Sequence, residues 1–395
     1  MNEAILVLNV GSSSIKFAVY AASEDVDPVC AGQISGIGRS PELTMKSLPV
    51  AGSFGAFGKE DSHGALIARL VVWLEKSLPG HRLVAAGHRV VHGGREYAAP
   101  VLIDSEVIRK LEILVPLAPH HQSDNLAGMK AVADVRPGLP QVACFDTAFH
   151  RTQPRVAQIF AIPRALTEEG IVRYGFHGLS YEHIASVLPK HAGKAASGRA
   201  IVAHLGHGAS LCAMRECKSV ATTMGFTVLD GLVMGKRSGT LDPGVVLHLL
   251  QDKGMSIADV ADLLNNRSGL LGVSERSDDM RELLADDDAR AREAVDLFIY
   301  RAVSEIGALV AVLGGIDSLV FTGGIGENAG EVRARIAAGF AWLGVSLDGD
   351  ANDANATRIS TCDSAVEVFV IPADEERIIA CHTRQLCRGL FFSAA

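Results

Sequence analysis

The chain carries one small device twice, half a chain apart. Residues 6–19 read LVLNVGSSSIKFAV, and residues 202–214 read VAHLGHGASLCAM. Each is an apolar strand, a turn of glycine and small hydroxyl residues, and a second apolar strand. The glycines Gly11 and Gly206 let backbone N–H groups approach an anion with no Cβ in the way. Duplication of such a hairpin constrains the chain to two similar halves. It also supplies two loops able to hold a phosphate chain from both sides. Either turn alone reads most simply as a plain hairpin, because glycine is the commonest turn residue. The pair, with a third glycine turn at Gly323–Gly326, points to nucleotide-dependent phosphoryl transfer.

A chain of 395 residues exceeds one ordinary core, so two domains are expected. Hydrophobic residues at 48% and charged residues at 21% are ordinary for a soluble globular protein. The net charge of −8 argues against a nucleic-acid partner held by bulk charge. An anionic substrate would then need a local cationic site. The seven cysteines contain no C-x-x-C pair, and read as reduced thiols of a cytoplasmic protein, with neither a disulfide framework nor a zinc site. The apolar run Ala4–Leu8 is too short for a signal peptide and lacks a basic flank. The longest apolar stretch, Gly307–Phe321, is broken by Asp317 and by glycines, so no membrane span is expected.

Periodicity supplies the frame. Ala4–Val10 with Ile15–Tyr20, and Ala200–Leu205 with Ala209–Met214, read as hairpins. Helical spacing marks His63–Leu78, Ser105–Leu114, Leu126–Val135, Ser180–Leu188, Pro243–Gln251, Ser256–Leu264, Asp288–Leu313, Glu331–Ala341 and Glu375–Leu390. Leu83–His88, Gln141–Phe145, Leu319–Thr322 and Val366–Ile371 read as strands, and residues 323–328, GGIGEN, as a turn. The result is an α/β fold. Residues 1–150 form its first domain and 151–376 its second, with a helix over 377–395 packing back on the first.

Two motifs mislead. Residues 231–238, GLVMGKRS, resemble a P-loop. Only three residues separate Gly231 from Gly235, however, and Arg237 stands where Ser or Thr must bind the metal. Residues 324–329, GIGENA, fit a dinucleotide fingerprint, with Asp348 near the right distance downstream. Too little chain follows to complete a six-stranded dinucleotide domain. Either reading of GIGENA, as a dinucleotide fingerprint or as a third glycine turn, places a nucleotide at this turn.

The chain resembles the acetate kinases, within the superfamily of acetate and sugar kinases, heat-shock ATPases and actin. The resemblance rests on NVGSSSIKF at 9–17, GHRVVHGG at 87–94, FDTAFH at 145–150, YGFHG at 174–178 and HLGHGAS at 204–210. It continues in MGFT at 224–227, GLVMGKRSG at 231–239, NNRSGLLG at 265–272, FTGGIGEN at 321–328 and IPADEER at 371–377. It implies two RNase H-like domains flanking a central nucleotide cleft, and a homodimer through the second domain. It implies reversible phosphoryl transfer from ATP to acetate, with Mg²⁺, or Mn²⁺ in its place. By the resemblance, Asn9, Ser12, Ser14 and Lys16 form the first phosphate hairpin. Arg89 and Arg237 line the transferred phosphoryl group and the substrate carboxylate. Asp146 is the catalytic aspartate, His177 contacts the phosphoryl group, and Asn9 and Glu375 serve the metal. His204, Gly206, His207 and Gly208 form the second phosphate turn. Asp279, Arg281, Gly323, Gly324, Ile325, Gly326 and Asn328 form the adenosine pocket. Val91, His120, His121 and Val228 line the acid pocket.

These residue types suit the chemistry. A carboxylate attacking a γ-phosphate is one anion approaching another, so the barrier is repulsion and positioning. Planar guanidinium forks bind either anion and keep their charge. The nucleophile is already ionised, so Asp146 is expected to orient the metal, its waters or an arginine rather than act as a base. Each residue also has a plainer reading. Arg89 and Arg237 would make surface ion pairs, Asp146 would cap a turn, His177 would be a core histidine, and Glu375 would be a first-turn helix carboxylate.

Several positions depart from the family pattern. His207 replaces the asparagine of HLGNG. His120 stands at the pocket leucine and Val228 at the pocket proline. Leu179 and Tyr181 stand where Thr and His are usual. Acetate is expected to remain a substrate, with weaker discrimination against larger or more polar acids, since one methylene is worth only about 1–3 kcal/mol. The rival readings are a propionate or butyrate kinase and an actin-like nucleotide switch.

Overall fold

A computed structural model of the protein describes residues 1–11, 13–23, 27–47, 54–58, 61–193 and 198–391, with only the backbone at His120 and Phe391. Ser12 and the side chain of His120 lie outside the described residues. The chain falls into two compact units. One comprises Met1–Phe149 with Asp374–Ala395, the other His150–Ala373.

The first unit is built on seven strands: β1 (Asn2–Gly11), β2 (Ser14–Ala21), β3 (Cys30–Ser35), β4 (Glu42–Ser47), β5 (His81–Val90), β6 (Val101–Leu102) and β7 (Gln141–Phe145), ordered β4-β3-β2-β1-β5-β7-β6. β1 to β4 form an antiparallel meander, while β1, β5 and β7 run parallel. β1 is a nearly unbroken apolar run and is buried on both faces, as a central parallel strand requires. On one face Leu6, Leu8 and Val10 pack against Leu66, Ile67, Leu70 and Leu74 of the helix His63–Ser77. Ser62 caps that helix by accepting from the Ala65 N–H. The helix Glu375–Phe391 packs on β1, β5 and β7. Its approach depends on Gly87 of β5, where a Cβ would lie 2.2 Å from Thr383 Oγ1 and 2.6 Å from Ile379 Cγ2. A chain that enters this helix at Asp374 is thereby held over the ends of the parallel strands.

The second unit repeats the plan on five strands: β8 (Arg199–Leu205), β9 (Ala209–Arg215), β10 (Lys218–Thr222), β11 (Ser318–Thr322) and β12 (Glu367–Val370), ordered β10-β9-β8-β11-β12. The meander β8-β9-β10 is antiparallel, and β11 runs parallel to both β8 and β12. The long helix Ala289–Leu313 covers β8, β9 and β10 with its buried face. The repeated hairpins of the sequence are therefore β1–β2 and β8–β9, each opening its own sheet. A mixed sheet with an antiparallel meander is not the six-stranded parallel sheet of a dinucleotide domain.

Three local expectations change. GGIGEN is the short helix Gly323–Asn328 rather than a turn, entered through Gly323 at φ +77°. The helix expected from Leu126 starts at Pro119, with the proline in its first turn where no N–H is needed. β3, β4 and β10 escape periodicity because they are short and carry mixed polar residues. Among the described residues, no helix is long and apolar enough to cross a membrane.

Candidate active site

Within the first unit, side chains from three neighbouring parallel strands and one helix converge. Asn9 lies near the end of β1, Arg89 near the end of β5, Asp146 just after β7, and Glu375 at the start of the helix Glu375–Phe391. Adjacent parallel strands end on one edge of the sheet, where α/β proteins place their ligands. Arg89 donates to Asp146 from Nε at 3.0 Å and from Nη2 at 2.6 Å, in the bidentate geometry that suits a guanidinium and a carboxylate. Arg89 Nη1 donates to Asn9 Oδ1 at 3.1 Å, and Arg89 Nε lies 3.8 Å from Glu375 Oε2. Asn9 Nδ2 donates to Glu375 at 3.0 Å and to Glu376 at 3.3 Å. Asp146 is 1% exposed. Burial alone would pull the Arg89 pKa down, but Asp146 and Glu375 more than offset it and hold the guanidinium firmly charged.

Buried amides that sequence reasoning missed brace this cluster. Asn125 accepts from the Val91 N–H and donates to the Val10 carbonyl, both at 3.0 Å, clamping the ends of β5 and β1 together. Gln122 exchanges hydrogen bonds with the His92 backbone, tying the helix Pro119–Val135 to the same segment. His63 Nε2 lies 3.0 Å from the Gly11 carbonyl and braces the first glycine turn. Val91 is buried beside these braces, and His121 is half-buried on the helix that carries Gln122. Ser14 pairs with Gly11 to close the turn, and Lys16, exposed on β2, pairs in register with Asn9.

The second unit holds a separate arrangement. His177 sits at φ +58° at the head of the helix Gly178–Ala192. Its Nδ1 lies 2.8 Å from Ser210 Oγ, and its ring stacks on His204 with centroids 4.3 Å apart. His204 in turn lies 2.9 Å from Ser180 Oγ. A Cβ at Gly208 would lie 2.8 Å from Arg237 Nη2 and 3.2 Å from His177 Nε2, so glycine is what lets both side chains reach the second hairpin. Arg237 Nη1 donates to the Val228 carbonyl at 2.7 Å, which fixes the guanidinium through Val228 backbone rather than its side chain.

Beside this lies a cavity of about 680 Å³, within the range of small-molecule sites. Gly206, His207, Asp279, Arg281, Gly324, Ile325 and Asn328 line it, with Asp278, Met280, Leu284 and Ala329. Gly323 and Gly326 are buried in the helix that forms one wall. His207 lies 2.8 Å from Asp278, and Lys236 lies 3.3 Å from the same carboxylate. Burial pushes the Asp278 pKa up, but His207 and Lys236 more than offset this and hold it below the usual range. Asp279 is held low chiefly by its hydrogen bond from Arg281. Two further residues receive no role from sequence. Glu327 accepts from the Gly323 and Ala373 N–H groups, both at 2.9 Å. Arg333, fully buried, donates to the Gly326 carbonyl at 2.9 Å and to Asn352. Both hold the glycine-rich helix in place.

The model of the acetokinase family matches residues 4–381. An acetate kinase of Rhodopseudomonas palustris is 53% identical over 98% of this chain and 100% of its own length. Among solved structures, a propionate kinase from Francisella tularensis superposes with a TM-score of 0.89 at 36% identity, covering 97% of this chain and 100% of that one. The acetate kinase of Porphyromonas gingivalis superposes with a TM-score of 0.84 at 34% identity, covering 97% of this chain and 99% of that one. The likeness fixes the fold as the actin-like ATPase fold in two domains.

A Cβ at Gly324 would have open space around it, on a wall of the cavity. Gly324→Leu is therefore expected to weaken ADP binding at least about tenfold, or about 1.4 kcal/mol, with an unchanged melting temperature. Calorimetric titration of the folded variant checks this, and unaltered affinity would exclude this cavity as the ADP site.

Proposed function

The chain belongs to the acetokinase family, kinases that move phosphate from ATP to a carboxylate, and from that premise we propose that it phosphorylates acetate, reversibly and with Mg²⁺, to give acetyl phosphate and ADP. The observation that carries this reading is the convergence of Arg237 and His177 on Gly208 of the second glycine hairpin. An arginine and an imidazole aimed at one glycine turn suit a phosphoryl group that must lose its repulsion for an incoming carboxylate.

Arg89 has the complementary role of holding anions at the first site. Asp146 fixes the plane of its guanidinium through two parallel hydrogen bonds, so the fork is oriented before substrate arrives. Asp146 then acts through Arg89, with no proton to remove from an ionised acid. Arg237 takes the charge of the transferring group, and His177 donates to it from Nε2. Ser14, Lys16, His204 and Gly206 serve the phosphate chain, and the residues around the cavity serve the adenosine. By the family resemblance, Val91, His121 and Val228 serve the acid.

Magnesium fits the donors at hand. Glu375 and the Asn9 amide oxygen are hard ligands in one hydrogen-bonded network, and among the described residues no group of three or more His, Cys, Asp or Glu could cage a metal. Mg²⁺ keeps several waters and takes one or two carboxylates plus substrate phosphates, so Asn9 and Glu375 would hold it through such a partial shell. Bound there, it would neutralise charge on the β- and γ-phosphates, and Mn²⁺ has the same preference for oxygen.

Propionate is the second acid to consider, because the Francisella tularensis structure is named a propionate kinase and Val228 gives the pocket a flexible edge. An actin-like switch would have no use for carboxylate-binding arginines. A cytoplasmic setting accords with seven cysteines that contain no C-x-x-C pair. The second unit also supports a homodimer. The helix Pro243–Gln251 has no buried residue, although it carries Val245 and Leu247 on its surface.

Three measurements test this reading. With MgATP and a panel of formate, acetate, propionate, butyrate and glycolate, hydroxylamine trapping is expected to give the strongest acyl phosphate signal with acetate, a clear signal with propionate, and none after chelation of the metal. Absence of acyl phosphate from every acid would overturn the function. Arg237→Ala is expected to lower turnover about 10³-fold with little change in melting temperature, and near-normal turnover would remove its role. Light scattering is expected to give twice the chain mass, falling to one in Leu247→Glu.

A further inference from the structure

Tyr181 stands where the family pattern has histidine, one helical turn after His177. Its N–H donates to the His177 carbonyl at 3.1 Å, closing the first turn of the helix Gly178–Ala192. Both side chains reach the same atom. Ser210 Oγ, fully buried on β9, lies 2.8 Å from His177 Nδ1 and is hydrogen-bonded to the Tyr181 hydroxyl, itself fully buried. The opposite edge of the His177 ring, Nε2, faces Gly208 and Arg237.

A serine hydroxyl has one proton and can donate to only one of two neighbours. If it donates to Tyr181, His177 must carry its proton on Nδ1 and present a bare Nε2 to the hairpin. If it donates to His177, the proton sits on Nε2. The balance is set by Tyr181. Burial keeps its phenol protonated, well above its usual range. A phenol is also a stronger donor and a weaker acceptor than an aliphatic hydroxyl. Its O–H therefore goes to Ser210, and the Ser210 O–H goes to the imidazole.

We propose that Tyr181 and Ser210 form a relay that fixes the tautomer of His177, leaving its proton on Nε2 toward the second glycine hairpin. This rests on the reading of His177 as a donor to the transferred phosphoryl group. An imidazole in the other tautomer would present a lone pair to an anion, which repels where a donor is required. Tyr181 and Ser210 are thus positioning residues, acting through His177. The left-handed backbone of His177 serves the same end. That conformation is strained for a non-glycine residue, and it turns the ring between Ser210 and Gly208 with His204 stacked on its face.

Selective ¹⁵N labelling of histidine in the full chain tests the relay without any substrate. Long-range proton–nitrogen correlations tell a protonated ring nitrogen from a bare one, and the His177 signals are those lost in His177→Asn. The unmodified chain is expected to show His177 with Nε2 protonated and Nδ1 bare. Tyr181→Phe is expected to populate the Nδ1–H form and to lower kcat about tenfold, the effect of one lost hydrogen bond. KM for ATP and for the acid should stay within twofold. Ser210→Ala should behave alike, and Ser210→Thr, which keeps the hydroxyl, should restore both tautomer and rate. A proton on Nδ1 in the unmodified chain overturns the relay, whether the ring is neutral or doubly protonated. So does Tyr181→Phe with unchanged tautomer and kcat. If Tyr181→Phe does not fold, the spectrum of the unmodified chain decides. A chain that forms no acyl phosphate yet shows the Nε2–H form supports the relay while removing the proposed reaction, so the two failures are distinct.

Discussion

The ion pair between Arg89 and Asp146 is the interaction on which the first unit's cluster of charged side chains depends. A carboxylate as buried as Asp146 is stable as an anion only with a cation and hydrogen bonds in place. Arg89 supplies both through Nε and Nη2. Breaking such a pair by removing one partner costs about 3–5 kcal/mol, because the other charge is left buried and uncompensated. The same bond fixes the plane of the guanidinium that we propose receives an incoming anion. On that proposal stability and function are carried by one contact, and neither residue can change alone. Asn9 extends the logic by accepting from Arg89 and donating to Glu375, which links a cation to a potential metal ligand through one amide.

The two units use one sheet plan for different chemistry. Each starts with a glycine hairpin, and each sets parallel strands beside it. In the first unit charged side chains project from the strand ends and neutralise one another. In the second, close approach does the work. Gly208 admits Arg237 and His177, and Gly235 admits the His207 ring, whose Cδ2 would lie 2.7 Å from a Cβ there. Gly323 turns the chain from β11 into the cavity wall, where a Cβ would lie 2.8 Å from the Leu205 carbonyl. Missing side chains create the space in which the remaining ones meet.

Much of this is legible from sequence because it is local. The hairpins announce themselves by apolar runs around glycine, and β1, β7 and β11 by continuous hydrophobicity. Arg89 and Asp146 stand out as charged residues at the ends of such runs. What sequence hides are partners remote in the chain. Asn125, Gln122 and His63 brace the first site from helices with no motif of their own. Arg333 sits in an ordinary helical pattern and Glu327 in a run that reads as a glycine turn, yet they lock the cavity wall through backbone carbonyl and N–H groups. Ser210 reads as one more small residue in an apolar strand. Its meaning comes from two side chains more than a score of positions upstream. The short meander strands were hidden for another reason, since short strands with mixed composition draw their stability from pairing rather than pattern.

His207 shows how a departure from a family pattern is absorbed by its surroundings. Its backbone carbonyl accepts from the Gly235 N–H at 3.0 Å, and its ring reaches Asp278 at 2.8 Å. Lys236 reaches the same carboxylate, so three loops meet at one rim of the cavity. A lone carboxylate there would repel the phosphates of a nucleotide. Matched by an ammonium and an imidazole, it becomes a tie between loops. The rim is half-exposed, so water weakens each ion pair and no single one carries much energy. Its order comes from their sharing one acceptor, which restricts all three loops together. Polar ties suit this place better than apolar packing, because the ligand expected here is itself strongly charged and must enter and leave through water.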